Sequence, residues 1–345
     1  MKMLKTEIIN LSENDGIEKY EYAKELILAD EVVGMPTETV YGLAGNAYSE
    51  NAVKKIFEAK GRPQDNPLIV HISSFNEIYD LVSAVPDSAK NLAEAFWPGP
   101  LTMILPKSDK VPYAVTAGLE TVAVRFPSHP VANMFIKACG VPIAAPSANL
   151  SGKPSPTKAS HVYNDLNGRI PLIIDGGDSE EGVESTVITL AGDTPRLLRP
   201  GNVTLSQLRE VLGEVLVDDA VLNPLKKGEK VSSPGMKYKH YSPEADVIIL
   251  KGSYPHFCDY VNKNAGEGVY AMVFEGEGAE LSVPSFVYGS RTDYRSLSNK
   301  LFDVLRELDK IGAKRCFVRC PDENDDDLAV MNRLLRAAAF KVSEV

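Results

Sequence analysis

Residues 60–71 read KGRPQDNPLIVH. Two cations, Lys60 and Arg62, stand two residues apart, followed by Pro63, a polar loop, Pro67 and the apolar run Leu68-Ile69-Val70. The prolines stop a helix from running through. Upstream, AVKKIFEAK places Val53, Ile56 and Phe57 at helical spacing, so the cations sit where a helix breaks into a loop that leads to a strand. Lysine as a mobile point charge and arginine as a planar fork suit a polyphosphate at such a junction. The same residues also describe a solvated helix end favoured by the macrodipole.

The 345 residues are 44% hydrophobic and 24% charged, which fits a globular chain of two domains. No apolar run reaches the roughly 20 residues of a bilayer span. The first residues lack the apolar core and cleavage site of a secretory signal, so the cytoplasm is the expected location. Cys139, Cys258, Cys316 and Cys320 are scattered, with no CxxC pair; neither a disulfide framework nor a zinc site is indicated. Thirty-seven basic against 47 acidic side chains leave a net charge of −10, which argues against a general nucleic-acid coat. Yet Lys60, Arg62, Arg125, Lys153, Lys158 and Arg199 lie at or near Gly, Pro, Ser or Asn. Cations kept near loops of an acidic protein suit a small anion.

In chain order, residues 17–30 have helical periodicity, and Val32 to Met35 read as a short strand. Thr37 and Thr39 follow, just past the strand end where ligands sit in open α/β sheets; a threonine helix cap is the alternative. A helix is expected near 75–96, then a strand in LTMILP beside the lone Trp97, which is read as a core anchor before a ligand stack. Thr121 to Arg125 alternate like a strand. Arg125 at its end suits a carboxylate clamp or a surface ion pair. Val141 to Ala145 form a small-residue strand that breaks at Pro146-Ser147-Ala148-Asn149, and Ser151, Gly152, Ser155 and Thr157 continue a hydroxyl-rich loop or plain turn. The chain offers no P-loop, no GxGxxG and no GxSxG elbow. Strands at PLIID and STVITL, Arg199 in RLLRPG, and a helix near 204–212 complete a mixed α/β half.

Residues 213–244 read as a linker whose end, SSPGMKYKHYSPEA, packs aromatics among lysines as a docking segment would. From 245 to 345, strands alternate with helices as in a small α/β domain. Its helix 294–311 carries Leu297, Leu301, Val304, Leu305, Leu308 and Ile311 on one face. The acidic run Asp322 to Asp327 reads as a solvated loop and helix start.

PTETVYGL, KGRPQDNPLIVHI, TAGLETVAVRFP, APSANLSGKPSPT, GVESTV, LLRPG and SPGMKYKHYSP together resemble the two-domain form of L-threonylcarbamoyladenylate synthase. The resemblance covers nearly the whole chain in family order. It implies a YrdC-like twisted mixed-sheet catalytic domain at 1–212, an ordered linker at 213–244 and a smaller Rossmann-like domain at 245–345. It implies the joining of L-threonine, bicarbonate or carbon dioxide, and ATP into threonylcarbamoyl-AMP and pyrophosphate. Downstream proteins then transfer the group to adenosine 37 of tRNA. The family's catalytic signature falls on Lys60, Arg62, Ser147 and Asn149. Its threonine-binding positions fall on Thr37, His71, Arg125 and Ser185. Its ATP-binding positions fall on Lys60, Arg62, Asn66, Thr121, Ser147, Ser155, Arg199, His240 and Tyr241. Magnesium is expected to accompany ATP, with no metal ligand from protein side chains and direct tRNA binding weak or absent. GLAGNA, where relatives often have GLGANA, is a small departure.

That chemistry needs no enzyme nucleophile, only positioning and charge neutralisation at phosphorus. The alternatives are carbamoyl-adenylate synthesis, as in hydrogenase-maturation proteins whose zinc-finger cysteines this chain lacks, and an RNA-binding module, which would bind with steep salt dependence. A carbamate decomposes in water, so the linker motif is expected to act as a lid. Deleting residues 232–243 should then lower ATP- and bicarbonate-dependent product formation; unchanged turnover would rule the lid out.

Overall fold

The computed structural model describes residues 4–223 and 241–345, apart from positions 323 and 326. Among these residues the first half forms one eleven-stranded mixed sheet. Its centre runs Val33–Met35, Gly42–Asn46, Ile143–Ala144, Ile69–His71, Thr121–Arg125, Leu101–Pro106 and Thr186–Thr189. Val33–Met35, Gly42–Asn46, Ile143–Ala144 and Ile69–His71 pair antiparallel in succession, whereas Ile69–His71 runs parallel to Thr121–Arg125 and sets His71 opposite Arg125. The helices Glu50–Lys60, Asp87–Phe96 and Leu205–Leu212 pack one face, burying Val53, Ile56, Phe57, Leu92 and Leu208. Glu21–Leu28 and Pro130–Cys139 cover the other face through Ala23, Ile27, Phe135 and Ile136.

Local chemistry explains where these elements stop. Ser49 caps the helix Glu50–Lys60 by accepting from Ala52 N, and Gly61 ends it at φ 63°, a left-handed position glycine takes without a Cβ clash. Thr204 and Gln207 form a capping box ahead of Leu205–Leu212. The single helix expected near 75–96 is instead two: a short turn of helix ending at Leu81, then Asp87–Phe96. Val82 is extended and bridges to Lys107, and Pro86 can only precede the second helix. The strand expected at 141–145 shortens to Ile143–Ala144. No helix follows Thr37; its hydroxyl donates to the Val40 carbonyl at 2.6 Å, closing a tight non-helical loop. Trp97 packs edge-on against Phe75 and donates to the Leu101 carbonyl, as a core anchor does.

Of the stretch read as a linker, Leu216–Val217 joins the first sheet as its last strand, parallel to Arg196–Arg199, and residues 224–240 lie outside the described residues. The second half is a five-stranded, all-parallel sheet ordered Ser285–Val287, Val269–Val273, Arg315–Arg319, Asp246–Lys251, Val342–Glu344. The last strand was not anticipated, being three half-exposed residues at an edge. Tyr254–Lys263 packs one face, and Tyr294–Lys310 with Leu328–Ala337 the other. The connections leave in opposite directions from Val269–Val273 and Arg315–Arg319, and the crevice outside such strand ends is where open sheets usually bind ligands. Arg319 fills it: buried, paired to Glu277 at 3.1 Å, donating to the Gly252 carbonyl at 2.9 Å and stacked among Tyr254, Phe257 and Phe274.

The two halves share a core. Val40 and Val183 of the first pack with Tyr241, Leu301 and Phe302. Asp325, within the acidic run, pairs with Arg209 of the first half at 3.0 Å. Gly182 has φ 75°, and a Cβ there would meet Asn299 Cα at 2.3 Å. Gly182→Val should therefore loosen the docking and destabilise by about 1–3 kcal/mol or more, read as a lowered urea midpoint.

Candidate active site

Lys60 is the last residue of its helix, and its chain reaches inward; it is only 3% exposed. Nζ donates to the Asn149 carbonyl at 2.8 Å, to Asn149 Oδ1 at 3.3 Å and to the Ser147 carbonyl. Ser147 Oγ donates to Asn149 Oδ1 at 2.6 Å, while Asn149 Nδ2 bonds the Leu150 and Lys153 carbonyls, each at 2.8 Å. One ammonium thus shapes the whole turn, and the solvated-helix-end reading fails.

Arg125 ends its strand buried as well. Nη2 lies 2.7 Å from Glu38 Oε1, Nη1 donates to Thr39 Oγ1 at 2.8 Å and Nε to the Gly99 carbonyl at 3.4 Å. Its ion pair is therefore internal, with both side chains 4% exposed. A guanidinium has five N–H donors; Nε and one Nη1 hydrogen are engaged, whereas Nη2 lies beside Glu38 without hydrogen-bonding it, so Nη1 and Nη2 can each still offer a donor to a bidentate carboxylate. His71 sits beside it with Nδ1 unpartnered among the described residues. Burial first, and the Arg125 charge second, push His71 down to about 3, so it is neutral at physiological pH.

Ser185 Oγ lies 2.7 Å from Thr102 Oγ1 and accepts from Arg199 Nη2 at 3.0 Å; Arg199 Nε donates to the Ser185 carbonyl at 3.0 Å. Burial brings Arg199 down to about 10, still charged at neutral pH. These groups converge. One cavity is lined by Lys60, Arg62, Ser147, Asn149, Thr37, His71, Arg125, Ser185, Arg199 and Tyr241, together with Glu184. Tyr241 holds its place at φ 61° against Phe302, with Arg333 over its ring.

Three predicted positions are not on the cavity lining. Asn66 is buried with its side-chain amide unpartnered among the described residues, Thr121 opens its strand at the end opposite Arg125, and Ser155 lies behind the wall bonding Glu184. His240 falls outside the described residues. Sequence reading missed Glu38, Glu184 and Arg333. Glu38 stands between two singled-out threonines and Glu184 beside Ser185, which is a usable signal; Arg333 is one arginine in an ordinary amphipathic helix and gives none.

Burial, then the neighbouring Arg62 charge, brings Lys60 down to about 7, against the opposing pull of Asp165 and Glu184. Between that value and its usual 10.5 the unfolded chain keeps a proton that the folded one releases. Stability from this residue therefore rises with pH across the window and is flat below it. In urea melts, wild type should gain stability relative to Lys60→Met on going from about pH 7 to about pH 9. A constant difference would mean that the lysine stays charged throughout.

Residues 25–201 match the Sua5/YciO/YrdC family profile, described as telomere recombination, and residues 203–339 match the profile for the threonylcarbamoyl-AMP synthase C-terminal domain. A threonylcarbamoyl-AMP synthase of Pyrococcus abyssi is 44% identical, covering 99% of this chain and 100% of the relative. That of Bacillus subtilis is 47% identical over 96% of each. The solved P. abyssi Sua5 complexed with L-threonine superposes with a TM-score of 0.91 over 98% of this chain and 99% of that one. Escherichia coli YciO aligns with the first domain, at 25% identity and a TM-score of 0.52 over 57% of this chain and 96% of YciO. The chain belongs to the threonylcarbamoyl-AMP synthase family.

Proposed function

We propose that this chain condenses L-threonine, bicarbonate or carbon dioxide, and ATP into threonylcarbamoyl-AMP and pyrophosphate, supplying an activated group to proteins that modify tRNA. The observation that carries the reading is the single cavity in which an amino-acid-sized polar corner, Thr37, His71, Arg125 and Ser185, faces the cations Lys60, Arg62 and Arg199. The threonine complex of a relative of the same fold supports it.

In this reading Nη1 and Nη2 of Arg125 take the threonine carboxylate. Neutral His71 accepts from the amine or hydroxyl, as an imidazolium there could not. The amine adds to carbon dioxide, losing a proton, and forms a carbamate. A carbamate oxygen then attacks the α-phosphorus and the bond to pyrophosphate breaks. Lys60, Arg62 and Arg199 neutralise charge that builds on the phosphate oxygens. Ser147 and Asn149 hold the nucleotide with short neutral hydrogen bonds, and Tyr241 sits on the nucleotide side.

Magnesium enters only as the companion of ATP. Among the described residues no group of three His, Cys, Asp or Glu is arranged to hold a metal. Glu184, the carboxylate on the cavity wall, is already engaged by Arg333 and Ser155. Phosphate oxygens are then magnesium's natural ligands in this reading.

The purified protein should release pyrophosphate only when threonine and bicarbonate are both present with magnesium and ATP; release that ignores threonine would end the reading. Arg125→Ala should raise the threonine requirement roughly 10- to 150-fold, the equivalent of about 1.5–3 kcal/mol. Lys60→Ala should chiefly impair use of ATP.

A further inference from the structure

The helix Leu328–Ala337 of the second domain reaches the cavity wall from behind. Its Arg333 is 0% exposed. Nε donates to Glu184 Oε2 at 3.0 Å, Nη2 to the Glu184 carbonyl at 3.2 Å, and Nη1 to the Pro200 carbonyl at 2.6 Å. The other Glu184 oxygen accepts from Ser155 Oγ. Glu184 and Arg199 both line the cavity, and Arg199 is close enough to feel the Glu184 charge. Burial alone would raise the Glu184 carboxyl; Arg333, then Arg199, overcome it and hold it below its usual value. Two arginines therefore compete for one buried carboxylate. The interdomain one has it, and the Arg199 fork is turned to Ser185 instead.

We propose that Arg333 is a positioning residue of the catalytic site: by occupying Glu184 it keeps Arg199 directed at Ser185 and the cavity, available to the anionic substrate. A buried carboxylate stripped of its partner is strongly unfavourable, and the nearest remedy is for Arg199 to turn onto it. That turn would neutralise a cavity cation and release Ser185 together. The second domain thus sets the charge of a site to which it contributes no lining residue from this helix. The inference rests on the functional reading above.

The full-length chain is assayed for threonine-dependent pyrophosphate release. R333M should raise KM for ATP at least about tenfold. E184Q/R333M removes the carboxylate charge along with its partner and leaves Arg199 nothing to turn to. Its KM should return to within about threefold of wild type, the signature of coupling between contacting residues. An arginine that only packs the interface would leave the double variant as impaired as R333M, and that result would overturn the proposal. So would R333M with wild-type kcat and KM. Should R333M fail to fold, R333Q supplies amide N–H donors without the charge, and R333Q with E184Q/R333Q carries the same comparison. A wild-type protein silent in the assay would instead overturn the functional reading, and this inference with it.

Discussion

The fold of the site depends on one buried ammonium. Lys60 leaves its helix where the last carbonyls make the backbone negative, a place that favours a cation, and then satisfies the carbonyls of Ser147 and Asn149 far along the chain. Those carbonyls belong to a short turn that backbone bonds hold to Tyr41 and Leu43 on one side only, and an unpaired buried carbonyl is costly. The helix Glu50–Lys60 and the strand Ile143–Ala144 are fixed by their own cores; Lys60 fixes the gap between them. Around this centre two other buried cations have a counter-group: Arg125 has Glu38, and Arg333 has Glu184. Among the described residues, Lys60 and Arg199 hydrogen-bond to oxygens of neutral groups. Their excess positive charge is what an anionic ligand would complete.

Much of this was legible in the sequence where the signal is local. The break of a helix at Lys60-Gly61, the strand ending at Arg125 and the alternating elements after residue 245 follow from proline, glycine and periodicity, and the structure has them there. Failures occurred where a distant partner decides. Nothing in residues 75–96 says that Val82 will pair with Lys107 and split the helix. The two-residue strand Leu216–Val217 exists because Arg196–Arg199 offers it an edge. Position along a sequence does not show what lies behind a wall: the hydroxyl of Ser155, an ATP-binding position by resemblance, faces Glu184. The motif resemblance gives Ser147 and Asn149 as catalytic positions and Ser185 as a threonine-binding one; local reading alone leaves the first two in a hydroxyl-rich loop or plain turn and Ser185 at the entry to a strand.

The two domains are joined by polar contacts of unequal kind. Arg209–Asp325 is exposed and worth little. The Arg306 guanidinium, by contrast, bonds Asp165 and the Pro154 carbonyl within the hydroxyl-rich stretch. Asp303 meets Thr157 and Lys158 of the same stretch. The helix Tyr294–Lys310 thereby braces one rim of the cavity while Leu328–Ala337 braces another. A catalytic wall made of loops gains from such support, because loops lack the ladders that hold strands in register.

Arg319 shows what the second domain gave up. Its guanidinium, at the end of Arg315–Arg319, ties Gly252 and Glu277 together just past the two neighbouring strands, where a parallel sheet would ordinarily accept a cofactor, and aromatic rings seal it there. Anyone wishing to graft a new ligand onto this module would have to evict a charged, fully engaged side chain and then neutralise Glu277. The domain is better regarded as scaffolding that keeps the outline of a receptor with the keyhole filled.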